Sequence, residues 1–86
     1  MAYTYILRCS DGSFYTGWTV NLDNRLEKHN RGIGSKYTRA RLPVELVYYE
    51  WKENQSIAQK REAAIKKLSR EEKEHLIKEF QKKQSL

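Results

Sequence analysis

Two short segments near the start of the chain are rich in aromatic and β-branched residues, at residues 3–9 and 14–19. The polar run Ser10-Asp11-Gly12 separates them. Strand-forming segments joined by a short run that contains Asp-Gly predict a β-hairpin.

The length of the hairpin loop decides where Tyr5 and Tyr15 point. A two-residue Asp-Gly turn would put the two phenols on opposite faces, because side chains alternate along a strand. A three-residue loop with Gly12 in the left-handed region shifts the register by one residue, and a β-bulge does the same. A site that uses both tyrosines therefore requires one of these two devices.

A polar helix follows the hairpin. Asn21 is a good N-cap, Gly32 is a good C′ residue, and two leucines between them form an apolar stripe. Arg25 and His29 are spaced i and i+4 and lie beside that stripe. We expect their side chains to reach the junction of the helix and the sheet.

The second half of the chain predicts one more strand and two helices. Residues 32–42 read as a basic loop or short helix that ends at Pro43, and residues 44–51 read as the third strand. Asn54 and Ser56 are candidate caps for the next helix, and Ser69 with Glu72 matches a capping box that starts the last one. The expected apolar positions are Ile57, Ala58, Ile65 and Leu68 in the first helix, and Leu76, Ile77 and Phe80 in the second.

These elements predict an α/β (α+β) fold with a central three-stranded, mainly antiparallel sheet flanked by helices, in the order β-β-α-β-α-α. With 86 residues the chain is expected to be one domain, 1–86, with a core over about 3–80. Residues 81–86 are expected to fray.

Composition narrows the classes of partner. The net charge is +6, which favours a polyanion such as nucleic acid. Cys9 is the only cysteine, so neither a disulfide nor a cysteine-based zinc site can form within one chain. The sequence shows neither a signal peptide nor a membrane span, and the cytoplasm is the expected compartment.

Glu62 stands out in the first C-terminal helix. It lies four residues after Ala58 and three before Ile65, which puts it on or next to the buried stripe. An unpaired buried carboxylate is very costly, so Glu62 needs a partner. Nearby cations or a bound metal ion are the two possibilities.

The order and spacing of these residues resemble the GIY-YIG nuclease superfamily. The first motif stands here as Tyr3-Thr4-Tyr5-Ile6 and the second as Tyr15-Thr16-Gly17, with Arg25, His29 and Glu62 at the family's later positions. The match covers residues 3–77, and the small stand-alone bacterial members, of the UPF0213-like type, are the most similar group. The Gly-Ile of the first motif is absent.

The resemblance implies a metal-dependent endonuclease or DNase, acting in repair or nucleic-acid processing. Tyr5, Tyr15, Arg25 and His29 would be the catalytic residues, with Glu62 holding one Mg²⁺ or Mn²⁺ ion. Arg25 would bind the phosphate, and either motif tyrosine is a candidate general base. His29 competes for that role, because histidine ordinarily titrates near neutrality.

The basic segment after the first helix is the predicted nucleic-acid surface, with DNA favoured over RNA. Its residues are Arg31, Lys36, Tyr37, Arg39 and Arg41, and Tyr37 is a candidate for stacking on a base. Gly17 and Trp18 complete the second motif, and Trp18 stands where several catalytic members carry a lysine. A nucleic-acid-binding module without catalysis and a protein-interaction domain therefore remain as alternatives.

Overall fold

The computed structural model describes residues 1–84. The elements follow one another as β1 (Ala2–Arg8), β2 (Phe14–Thr19), α1 (Leu22–Asn30), α2 (Lys36–Arg39), β3 (Glu45–Lys52), α3 (Gln55–Lys66) and α4 (Arg70–Gln84). The three strands form one antiparallel sheet in the order β2-β1-β3. The predicted fold class is confirmed, and the segment before Pro43 contains a short helix, α2.

The hairpin uses a three-residue loop. The Gly12 N–H donates to the Cys9 carbonyl at 2.9 Å, and the Cys9 N–H donates to the Ser13 carbonyl at 2.8 Å. Gly12 has φ of +85°, in the left-handed region that glycine adopts at little cost. In the resulting register Tyr5 pairs with Gly17 and Leu7 pairs with Tyr15, so both tyrosines lie on one face.

Helix α1 covers the face that carries the tyrosines. Its N-cap is Asn21, whose side chain accepts from the Asn24 N–H at 3.0 Å, and Gly32 follows its end with φ of +82°. Both predicted helix ends are confirmed. The buried cluster on this face comprises Tyr5, Leu7, Cys9 and Val44, with Leu22 and Leu26 of α1 partly buried against it.

Helices α3 and α4 cover the opposite face. The buried cluster there comprises Ile6, Val47, Tyr48, Ile65 and Ile77. The capping box at the start of α4 is confirmed, because the Ser69 N–H donates to Glu72 Oε1 at 2.9 Å and the Glu72 N–H donates to Ser69 Oγ at 3.1 Å. Of the two candidate caps for α3, Asn54 is the residue used, since its side chain accepts from the Ile57 N–H.

One expectation about the C-terminal helices is wrong. Ile57 is 42% exposed, because the face of α3 that meets the sheet is the one through Ala58 and Ile65. Residues 81–84 continue α4, whereas residues 85 and 86 lie outside the described range. The Phe80 ring packs at 5.4 Å from Tyr48 and 5.1 Å from Tyr49, which holds this end of α4 against β3.

Among residues 1–84, no helix has the length and apolar character needed to cross a membrane.

Candidate active site at the junction of the sheet and the first helix

Two phenols and an imidazole meet beneath α1. The Tyr5 hydroxyl lies 2.9 Å from His29 Nε2, and the Tyr15 ring packs edge-on to the His29 ring with centroids 5.2 Å apart. The register of the hairpin supplies both tyrosines, and the last turn of α1 supplies the histidine. The structure therefore brings together three of the four residues for which the sequence predicts a catalytic role.

Gly17 provides the space that Tyr5 occupies. A Cβ atom at Gly17 would lie 2.7 Å from Tyr5 Oη and 3.2 Å from Tyr15 Cε2. The first of these distances is shorter than any normal carbon–oxygen contact, so a side chain here would displace the phenol. The glycine of the second motif is thus required by the packing of the site.

His29 is fully buried, and its second ring nitrogen is also engaged. Its Nδ1 atom lies 2.8 Å from Thr38 Oγ1. Burial, followed by the positive charge of Arg25, lowers the pKa of His29 to about 4. The expectation that His29 titrates near neutrality is wrong, and the imidazole is neutral at physiological pH.

Tyr5 is also protonated under ordinary conditions. It is 2% exposed, and burial raises its pKa to about 12, although the nearby Arg25 guanidinium acts in the opposite direction. Tyr15 lies on the same face but keeps a partly exposed side chain. Of the two motif tyrosines, Tyr15 is therefore the more accessible to water.

Arg25 is the fourth predicted catalytic residue and lies at the edge of this cluster. Its Nη2 atom donates to the Gly34 carbonyl at 3.0 Å. Its Nε atom is buried and has no hydrogen-bond partner among the described residues. A buried donor without a partner is rare in proteins, and it marks a place where a ligand or water completes the structure.

The segment from Gly34 to Thr38 closes the site from above, which the sequence interpretation missed. A Cβ atom at Gly34 would lie 2.3 Å from His29 Nδ1, so only glycine lets this backbone approach the imidazole. Ser35 caps α2 by accepting from the Thr38 N–H at 3.1 Å, and Thr38 is fully buried. The spacing of Ser35 and Thr38 signals a helix cap, but nothing in the sequence shows that Thr38 contacts His29.

Glu62 approaches the site from α3. Its side chain is 19% exposed and forms an ion pair with Lys66 at 2.7 Å. Its negative charge contributes to the raised pKa of Tyr5, so the carboxylate lies within electrostatic reach of the phenol. Between residues 1 and 84 no three His, Cys, Asp or Glu side chains cluster as a metal site. A single carboxylate nevertheless fits Mg²⁺, which commonly binds one or two carboxylates and keeps several waters.

The basic segment divides into exposed residues, of which Arg31 also pairs with Glu27 at 3.8 Å, and a residue that neighbouring side chains engage. Arg31, Lys36 and Arg39 are exposed. Arg41 donates to Asp11 at 3.1 Å and lies over the Tyr37 ring, with Cζ 3.8 Å from the ring centroid. Arg41 therefore closes one face of Tyr37 to a base.

Tyr37 connects this segment to the site, because its ring stacks on that of Tyr15 with centroids 6.1 Å apart. A separate groove of about 370 Å³ is lined by Trp18 together with Arg25 and Gln55 of α3. This groove runs past the edge of β2, beside the guanidinium.

Comparison with protein families gives a match over almost the whole chain. The model of the GIY-YIG catalytic domain, a domain of nuclease type, matches residues 1–83. A UPF0213 protein from Clostridium perfringens is 58% identical over 77 residues, which cover 90% of this chain and 83% of that protein. A UPF0213 protein from Staphylococcus aureus is 54% identical over 77 residues, covering 90% of this chain and 94% of that protein.

Two solved structures are also similar. The solution structure of a UPF0213 protein from Bacillus halodurans matches with a TM-score of 0.57 and 46% identity, covering 91% of this chain and 84% of that one. The solution structure of a protein from E. faecalis matches with a TM-score of 0.60 and 48% identity, covering 92% and 84%.

Proposed function

This chain belongs to the GIY-YIG family, and we propose that it is a metal-dependent endonuclease that hydrolyses phosphodiester bonds in DNA. One observation carries the proposal. Arg25 holds a buried, unpartnered Nε donor beside the Tyr5 phenol, on which the Glu62 carboxylate also acts electrostatically. A phosphate group would supply the missing acceptor and would meet the groups that its hydrolysis requires. Nucleic-acid processing or repair in the cytoplasm is the proposed setting, in keeping with Cys9 as a free thiol.

Arg25 is proposed to bind the phosphate and to stabilise the charge that develops on it. Guanidinium is planar and permanently charged, and it matches the oxygens of a phosphate in a fixed geometry. The hydrogen bond from Nη2 to the Gly34 carbonyl orients the group before substrate binds. Such preorganised donors are worth more in a partly buried site than in water.

Glu62 is proposed to hold one Mg²⁺ or Mn²⁺ ion. When bound, the ion supplies a Lewis acid that polarises the phosphate and helps the leaving oxygen. Lys66 now forms an ion pair with Glu62, and its side chain is 54% exposed. Because exposed lysines reorient readily, Lys66 can turn to solvent and leave the carboxylate to the metal.

Tyr15 is proposed as the group that accepts the proton of the attacking water, after its partly exposed phenol has released its own proton to solvent. Of the three candidate bases, it is the one with a partly exposed side chain. Tyr5 and His29 are only 2% and 0% exposed. A pKa of about 12 keeps the Tyr5 phenol protonated, and a pKa of about 4 makes the His29 imidazole a weak base. Tyr5 is better suited to donate a hydrogen bond to a substrate oxygen than to remove a proton.

The exposed Arg31, Lys36 and Arg39 are proposed to hold the nucleic-acid backbone on one side of the site. Their contribution would be electrostatic and independent of sequence. Arg41, which Asp11 and Tyr37 engage, is assigned a structural role in ordering this segment.

A second candidate function is nucleic-acid binding without catalysis. Trp18 favours it, because this residue brings an indole to a groove beside Arg25 where several catalytic members carry a lysine cation. The two functions share a salt-sensitive affinity for nucleic acid. They differ in whether cleavage accompanies it.

Cleavage of supercoiled plasmid and of a labelled single strand, with Mg²⁺ or Mn²⁺ and with chelator, tests the proposal. We expect metal-dependent cleavage that Glu62→Gln reduces by about 100-fold, since removing one well-placed electrostatic group costs about 10²–10³. Glu74→Gln is the matched control. Glu74 also forms an i,i+4 ion pair, with Arg70 at 3.4 Å, but lies on α4.

Binding that weakens with salt while no metal supports cleavage would reject the enzyme and favour the second function. Equal cleavage by Glu62→Gln and wild type would reject the metal role of Glu62.

A further inference from the structure

A buried chain of hydrogen bonds runs from α2 to the site. The Tyr5 hydroxyl contacts His29 Nε2 at 2.9 Å, and His29 Nδ1 contacts Thr38 Oγ1 at 2.8 Å. Thr38 Oγ1 in turn contacts Ser35 Oγ at 2.9 Å. Tyr5, His29 and Thr38 are each no more than 2% exposed, so water does not compete for these contacts.

The protons along this chain can be counted. Ser35 Oγ accepts the Thr38 backbone N–H at 3.1 Å, and its own proton has Thr38 Oγ1 as the near acceptor. Thr38 then accepts from Ser35 and must place its single proton elsewhere. Its two remaining contacts are His29 Nδ1 at 2.8 Å and the Ser35 carbonyl at 3.4 Å. The shorter contact is also the better hydrogen bond.

The count favours one direction for each of these bonds. If Thr38 donates to Nδ1, the neutral imidazole must carry its proton on Nε2. Nε2–H then donates to the Tyr5 oxygen. Arg25, which can only donate, lies beside the same oxygen. With the lone pairs of Tyr5 turned toward two donors, its own proton points away from His29.

We propose that Thr38 is a positioning residue that holds His29 in the Nε2–H tautomer, so that the Tyr5 hydroxyl directs its proton at the substrate. This inference rests on the proposed function, because the acceptor of the Tyr5 proton is a phosphate oxygen of the substrate. The tautomer of His29 does not depend on that function. Gly34 contributes by allowing its backbone to pack against the ring, where a Cβ atom would lie 2.3 Å from Nδ1.

The tautomer is measured directly by long-range ¹⁵N–¹H correlation spectra of the uniformly labelled protein. The chain contains only two histidines, and exposed His75 on α4 provides a reference in the same spectrum. We expect wild-type His29 to be protonated at Nε2 and unprotonated at Nδ1. A wild-type spectrum with the proton on Nδ1 would overturn the proposal without any variant.

Thr38→Val removes the hydroxyl and keeps the branched shape, and Thr38→Ser keeps the hydroxyl. We expect a mixture of tautomers in the valine variant and the wild-type tautomer in the serine variant. We also expect kcat to fall by about 10–100-fold in Thr38→Val with KM little changed, as when a group that orients a catalytic residue is lost. Serine should restore most of the rate, which a purely structural loss would not explain.

The outcomes separate this inference from the proposed function. If wild type cleaves nothing but shows the Nε2–H tautomer, lost only in Thr38→Val, the role of Thr38 stands and the enzyme is rejected. If Thr38→Val retains the wild-type tautomer and the wild-type kcat, the role of Thr38 is rejected and the enzyme stands. Should Thr38→Val fail to fold, the wild-type spectrum still decides.

Discussion

Tyr5 and Tyr48 lie on opposite faces of the same sheet, and burial raises the pKa of each to about 12. Their surroundings differ. Tyr48 donates to Glu50, and the same carboxylate accepts from Arg61 Nε at 2.9 Å and pairs with Lys52 at 2.9 Å. Tyr5 bonds to a neutral imidazole, and the cation beside it, Arg25, has no carboxylate partner among residues 1–84.

The comparison separates a self-contained structural network from the one proposed to bind substrate. Around Tyr48 the opposite charges meet, and nothing further is needed to satisfy them. Around Tyr5 a partly buried cation keeps a buried Nε donor without a partner, so the network is completed only by an added acceptor. A raised pKa alone therefore does not identify a site in this molecule. The proposed site rests on the unpaired cation next to Tyr5.

The largest expected effect comes from removing the unpaired cation. Arg25→Ala should lower the cleavage rate by about 100–1000-fold, because it deletes the proposed phosphate ligand. It should cost only about 1 kcal/mol of stability, the typical value of one hydrogen bond such as that to Gly34. Initial rates and urea denaturation of the same preparations provide the measurement. Loss of stability without loss of rate would make Arg25 a structural residue like Arg61.

Removing the corresponding cation on the other face, Arg61, should lower stability and leave the cleavage rate unchanged. Arg61→Ala leaves Glu50 without its bidentate partner and should destabilise the fold by about 2–3 kcal/mol. This is below the usual cost for a fully buried pair, because Arg61 is about one-third exposed and Lys52 remains. Cleavage per folded molecule should be unchanged. A drop in the rate of the fully folded variant would contradict the division of the two faces.

Acid should affect the two networks in different pH windows. His29 has its pKa lowered from 6.5 to about 4, so as pH falls through this range the unfolded chain gains a proton that the folded chain excludes. For Glu50, burial alone would raise the pKa, but hydrogen bonds from Arg61, Tyr48 and Lys52 lower it from 4.5 to about 2. Its stabilisation is present above pH 4.5 and is lost as pH falls toward 2.

Urea denaturation across both windows measures these two losses of unfolding free energy, each of about 3 kcal/mol. His29→Gln should abolish the loss in the upper window, and Glu50→Gln should abolish the loss in the lower one. If His29→Gln keeps the full decline between pH 6.5 and 4, then His29 is not the group that titrates there.

The smallest expected effect is at the hairpin loop, which both faces share. Gly12→Ala should lower the free energy of unfolding by about 1 kcal/mol, because alanine disfavours the φ of +85°. The cost should be no larger, since the added Cβ atom would meet nothing within 4 Å. The register should persist, since buried side chains on both faces fix it. Cleavage at the wild-type rate with lowered urea midpoint is the expected result. A lost rate with unchanged stability would show that the loop acts on the site directly.

Local pattern determined most of the architecture. Asn21, Gly32 and the Ser69–Glu72 box set helix ends through contacts within a few residues, and such contacts are legible in sequence. Residue order also grouped Tyr5, Tyr15, Arg25 and His29 as a set. By contrast, the expectation that Ile57 lies in the core was wrong. Neighbouring residues on a helix differ by about 100° in direction, and sequence alone does not choose whether the face of Ile57 or that of Ala58 meets the sheet.

Only the tertiary structure decided the state of the site. The three-residue loop turned both phenols to one face, and long-range packing buried His29 and lowered its pKa to about 4. Thr38 reached the imidazole because Gly34 allowed the backbone to close over α1. The sequence by itself determined which reactive side chains are present and which helices and strands carry them. Burial by residues distant in the chain decides whether these side chains are protonated and accessible, and it leaves the Nε donor of Arg25 unpaired. No local sequence pattern predicts such burial.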